Sequence, residues 1–111
     1  MYTKVTDTEA FRSLLRDERA VLFYFATMSC SVGEAVEPKV KMLLSKSFPE
    51  ICYCWVDMGA VPEVAAAHQV FVEPTILLFV DGRESLRRSR HISLGELNSA
   101  LERIYGLVFD S

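Results

Sequence analysis

The sequence predicts an α/β domain in which a mixed central β-sheet of four to five strands is flanked by about four helices, and three observations lead there. Three continuous apolar runs, at residues 20–26, 51–56 and 75–80, are rich in β-branched and aromatic side chains, the pattern of strands covered on both faces. Stretches with helical spacing of apolar residues alternate with these runs, so the early strands must be joined by helical crossovers. Asp81-Gly82 then follows the last run as a hairpin signal, which adds an antiparallel partner and makes the sheet mixed.

The elements follow in order. The N-terminus opens directly into a strand and helix pattern. Thr6 or Asp7 caps a helix over residues 8–17, because Thr6 and Glu9 have capping-box spacing and Phe11, Leu14 and Leu15 share a face. Residues 20–26 form the central strand. A helix over residues 33–46 buries Val36, Val40, Leu43 and Leu44 and turns Lys39, Lys41 and Lys46 outward, with an early kink expected at Pro38. After the strand at 51–56, Pro62 opens a short helix ending near His68. The strand at 75–80 turns through Asp81-Gly82 into a partner at 84–88. Ser93, with Glu96 three residues on, caps a last helix that carries Leu94, Leu97, Leu101 and Ile104.

A chain of 111 residues that is 50% hydrophobic suits one domain, residues 1–111, with one sizeable core. Its 15 acidic and 12 basic side chains are interspersed, which argues against a nucleic-acid partner. The densest basic cluster, Arg83, Arg87, Arg88 and Arg90, reads as a solvated edge strand. No apolar run approaches the ~20 residues that span a bilayer, and the start does not read as a leader, so a soluble cytoplasmic protein with no membrane partner is expected. Three cysteines at irregular spacing fit a reducing compartment better than a disulfide framework. With no zinc-type ligand spacing, neither metal nor cofactor is expected.

Several local features, taken in order, resemble the thioredoxin family over nearly the whole chain. The strand at 21–26 leads through Thr27-Met28-Ser29 into Cys30-Ser31-Val32-Gly33, where the family has a Cys-x-x-Cys motif opening a helix, and Pro38 matches the proline that follows. Val56-Asp57, Pro62-Glu63-Val64-Ala65, Glu73-Pro74-Thr75 and Asp81-Gly82 are similar to the family's strand-ending aspartate, helix start, cis-proline and hairpin turn. The resemblance implies a thioredoxin fold, a nucleophilic Cys30, and a substrate face formed by Ser29, Glu73 and Pro74. The departures bear on function. Gly33 takes the second cysteine's place, Ala26 and Ser29 stand where tryptophans are usual, and Tyr24 stands where the family buries an aspartate. Arg90 falls at a position usually held by glycine.

A thiolate is the attacking species in disulfide exchange, so the ionisation of Cys30 decides its use. A helix N-terminus favours the thiolate by roughly 0.3–1 kcal/mol at exposed sites. Glu34, Glu37 and, through the resemblance, Glu73 oppose it. Two readings follow. In one, Cys30 forms mixed disulfides with protein or glutathione thiols and disulfides, which a second thiol resolves. In the other, the Cys30 and Pro74 loops, with Met28 and Phe71, form a non-catalytic docking face for a protein partner. Pro74 itself is either a platform for substrate or a structural turn. Cys52 and Cys54, two apart on a strand and about 6.5–7 Å apart along it, are expected to be small buried hydrophobes ill placed for a disulfide. Tyr53 and Trp55 point to the other face as core residues, and His68 and His91 are read as surface or capping residues.

Overall fold

The computed structural model describes residues 2–27 and 31–109, with side chains at 2 and 31–35 left aside. Nine elements follow one another: β1 (Tyr2–Val5), α1 (Thr8–Asp17), β2 (Ala20–Ala26), α2 (Ser31–Ser47), β3 (Cys52–Asp57), α3 (Pro62–Ala67), β4 (Thr75–Val80), β5 (Arg83–Ser89) and α4 (Leu94–Phe109). The strands lie in the order β1-β3-β2-β4-β5. β1, β3 and β2 run parallel, whereas β4 and β5 are antiparallel to their neighbours. This is the mixed, helix-flanked sheet that the alternation of apolar runs predicts.

β2 is buried along its entire length because it lies at the middle of the sheet with helices on both sides. Val21, Phe23 and Phe25 pack on one face with Phe11 of α1 and Val64 and Ala65 of α3. Ala20, Leu22, Tyr24 and Ala26 pack on the other with Val40 and Leu44 of α2 and Leu97 and Leu101 of α4. Tyr53 and the half-buried Trp55 join this second face, as their place on the strand requires.

Local chemistry sets the element ends. Asp7, rather than Thr6, caps α1, its Oδ1 accepting from the Ala10 N–H at 2.8 Å. Ser93 Oγ accepts from the Glu96 N–H at 3.3 Å at the start of α4. Asp81 and Gly82 both have positive φ, 51° and 79°, the requirement of a type I′ hairpin turn. α2 begins at Ser31, two residues earlier than the apolar spacing indicates, so Gly33 lies in its first turn.

Arg87 departs from the expected solvated edge. Its guanidinium holds Glu84 through two contacts of 2.9 Å and donates to the carbonyls of His68 at 2.6 Å and Gln69 at 3.1 Å. The edge strand thereby closes the carbonyl end of α3 and fixes where the chain leaves for the segment before β4. The Arg87 guanidinium beside it holds the Glu84 carboxyl below the usual carboxylate range. His68 caps the C-terminal end of α3, the second of the two roles expected of it, and is half-buried there, its ring lying 5.2 Å from Phe11 and 5.4 Å from Phe79. Burial lowers its pKa below the ordinary histidine value. Among the described residues no helix is long and apolar enough to cross a membrane, and no group of three or more ligand side chains could hold a metal.

Candidate functional site

The site is assembled at the end of the sheet where β2 stops. Ala26 pairs with Asp57 at the end of β3, and its carbonyl accepts from the Met58 N–H at 2.9 Å. Asp57 Oδ1 in turn accepts from the N–H groups of Gly59 and Ala60, at 2.9 and 3.3 Å, which folds the β3–α3 connection back on itself. Met28, Ser29 and Cys30, which include the expected nucleophile and its neighbouring serine, lie outside the described residues. What surrounds them is defined: Thr27 on one side and the first residue of α2, Ser31, on the other.

The second strand end comes from β4. Thr75 is in register with Phe25, which sets the residue before it, Pro74, alongside the end of β2. The Glu73–Pro74 peptide bond is cis, and Pro74 is buried. The Thr75 hydroxyl donates to the Val72 carbonyl at 2.7 Å, closing the turn from within. The Pro74 carbonyl accepts from the Arg90 N–H at 2.8 Å, and Arg90 has φ of 64°. That left-handed conformation costs a non-glycine residue roughly 1–2 kcal/mol. A glycine would adopt it without that cost, and here arginine adopts it.

Glu73 joins the two loops. Its carboxylate accepts from the Thr27 N–H at 2.7 Å and from the Thr27 Oγ1 at 3.1 Å. The side chain that the resemblance assigns to the substrate face is committed through both oxygens to the residue three before Cys30. Thr27 was legible only as part of the path toward the cysteine; nothing local marks it as the partner of a residue 46 positions away. Hydrogen bonds to a charged acceptor are worth roughly 1.5–3 kcal/mol each where they are well sheltered. Glu73→Ala is therefore expected to lower stability by about 1–3 kcal/mol in urea titration, with Glu73→Gln, which keeps one acceptor, falling between it and the parent.

The other expected contributors are distributed unequally. Glu37 receives a hydrogen bond from the Tyr53 hydroxyl at 2.6 Å, so part of its charge is spread over a phenol. Tyr24 is fully buried within the α2/α4 face of the sheet, with no exposed surface. Phe71, immediately before this turn, is 75% exposed.

Cys52 and Cys54 belong to the opposite end of the sheet. They pair with Val21 and Phe23, whereas the site lies at the Ala26–Asp57 end, roughly 10 Å further along the strand from Cys54. Both are buried free thiols, as expected of small apolar residues. Their sulfurs nevertheless stand only 3.7 Å apart, far closer than the spacing of their positions on the strand implies. The side chains converge on one another by rotation about Cα–Cβ, which a strand spacing does not reveal.

The chain matches the thioredoxin family model over residues 2–103. The thioredoxin-like protein YdfQ of Bacillus subtilis is 32% identical over 88% of this chain and 87% of its own length. Thioredoxin-2 of Pyricularia oryzae is 36% identical over 72% of this chain, a match that spans 46% of that longer protein. Among solved structures, a mutant thioredoxin from Halobacterium salinarum superposes with a TM-score of 0.82, covering 92% of this chain and 88% of its own at 22% identity, which speaks to the fold. The family match runs from β1 into α4 and takes in the strand end, the helix at Ser31 and the Glu73–Pro74 turn, and on that footing the chain belongs to the thioredoxin family.

Proposed function

We propose that the protein carries out monothiol thiol–disulfide exchange through Cys30. The observation that carries this reading is the position of α2: it begins at Ser31, so Cys30 immediately precedes a helix whose first N–H groups have no intrahelical partners. Such a helix end favours a thiolate over a thiol. Gly33, in the same first turn, offers no second sulfur. The thiolate of Cys30 attacks one sulfur of a protein or glutathione disulfide, forming a mixed disulfide and releasing the other sulfur as a thiolate. An external thiolate then attacks the mixed disulfide and frees Cys30.

In this reading Pro74 walls the groove beside the thiol, Ser29 flanks it, and Glu73 positions the approach by holding Thr27. On incubation with oxidised glutathione, the native protein is expected to gain one glutathione per chain by intact mass, at Cys30. Cys30→Ser is expected to gain none. Failure of the parent to form the adduct, or equal adduct on Cys30→Ser, contradicts the proposal. The exposed Phe71 beside the Pro74 turn favours a second reading, a docking face for a protein partner. That reading expects partner binding to be unchanged in Cys30→Ser.

A further inference from the structure

The second half of α2 carries an apolar groove on its outer side that the exchange reaction does not use. Two rows of side chains, each spaced by four residues, border it: Pro38, Met42 and Lys46 in one, Lys39, Leu43 and Ser47 in the other. Leu94, the first residue of α4, closes the side, and the groove has a volume of about 490 Å³. Rows spaced by four are the ridges of an α-helix, and the channel between two of them is the shape into which a second helix lays a ridge of its own. The groove lies well along the helix from Cys30: Met42 is eleven residues beyond Ser31, roughly 16 Å along the axis.

Met42 is 55% exposed, one of three large hydrophobic side chains so placed among the described residues. Leu43 and Leu94 beside it are half-buried against the core, so the floor is fixed while the rim is open. An unbranched thioether at that rim adapts to whichever side chain meets it. Charge brackets the apolar centre. Lys39 and Lys46 are both exposed and stand two helical turns apart, about 10 Å, and among the described residues neither has an ion-pair partner. From Pro38 to Ser47 the helix carries three lysines and no carboxylate, in a chain whose net charge is -3. This face is positive against its own background and complements an acidic partner. Two copies of the groove set face to face would bring lysine against lysine.

We propose that this groove docks an acidic amphipathic helix of a partner protein. The incoming helix lays apolar residues spaced by four between the two rows and sets carboxylates two turns apart against Lys39 and Lys46. Covering Met42 and Leu43 supplies the attraction, while the two lysines fix the register and turn away basic helices. The contact involves neither Cys30 nor the Pro74 turn, so it holds whether or not the protein exchanges disulfides.

The experiment titrates the isotope-labelled full chain with a synthetic helical peptide that carries leucines four apart along one face and glutamates seven apart beside them. A second peptide has lysines in place of those glutamates. Amide shifts are expected over residues 38–47 and the start of α4, saturating below about 1 mM acidic peptide. Met42→Gln is expected to weaken binding about fivefold through lost apolar contact. Lys39→Glu/Lys46→Glu is expected to weaken binding of the acidic peptide about tenfold and to strengthen that of the basic peptide by a similar factor. All three side chains are exposed, so the substitutions leave the core intact, and amide positions outside the groove verify this. No saturable shift, shifts centred on Phe71, or a charge-reversed variant that still prefers the acidic peptide overturns the proposal. So do shifts at the same residues on raising protein concentration alone, which mean that a second copy fills the groove. Equal shifts with vesicles of anionic phospholipid overturn it in favour of a membrane surface.

Discussion

Gly33→Cys is expected to raise insulin reduction with dithiothreitol at least tenfold over the parent. Position 33 lies in the first turn of α2, three residues from Cys30 in the chain. Positions three apart on a helix put their Cβ atoms about 5–6 Å apart, within reach of a disulfide after small adjustment. A second thiol there supplies an intramolecular leaving route, because it attacks the mixed disulfide at an effective concentration that free thiol cannot match. Oxidised Gly33→Cys is also expected to lose two hydrogens, mapping to residues 30 and 33. No gain in reductase activity would mean that Cys30 is not presented at the helix end as proposed.

Tyr24→Asp is expected to be the most damaging single change near the site, lowering stability by about 4 kcal/mol or more. Tyr24 is fully buried at the middle of the central strand and packs within the apolar layer between the sheet and helices α2 and α4. Removing a large aromatic ring from such a place costs about 3–5 kcal/mol through lost burial and the cavity left behind. A carboxylate put in its stead adds the cost of burying a charge. That charge can be relieved only by protonation, so the folded-state pKa of the new carboxyl rises above its unfolded value. Destabilisation should therefore be greater at pH 8 than at pH 5, which urea titration at the two values checks. The position that the family uses for a buried acid has here been given over to packing, and the acid cannot simply be put back. A loss under about 1 kcal/mol would show that the site had kept room and partners for a carboxylate.

The features that were readable in the sequence are those written in local pattern. β2 and β4 announce themselves as unbroken apolar runs because both faces of each are covered. Asp81-Gly82 fixes the hairpin because both residues accept positive φ at little cost. The start of α2 was less visible: Ser31-Val32-Gly33 has weak helix propensity, and the apolar stripe that reveals the helix begins only at Val36. What could not be read is what depends on side chains meeting across the fold. Glu73 and Thr27 are 46 residues apart, and Arg87 reaches back 19 positions to His68. Neither pairing has a periodicity to give it away, the second joining β5 to His68, the residue that caps α3 after Ala67. The sulfur contact of Cys52 and Cys54 escaped for a different reason, since strand spacing fixes Cα positions and leaves χ1 free.

The account rests on Cys30 being a thiolate-forming residue at the start of α2. The most direct measurement is the rate of its alkylation by iodoacetamide as a function of pH, followed by peptide mass spectrometry so that Cys52 and Cys54 are read separately. The helix end predicts a midpoint below the ordinary value of about 8.5 for a free cysteine, and Glu73→Ala should move it further down by removing a carboxylate from the neighbouring turn. A midpoint above about 9 would contradict the claim that Cys30 is an exchange thiol.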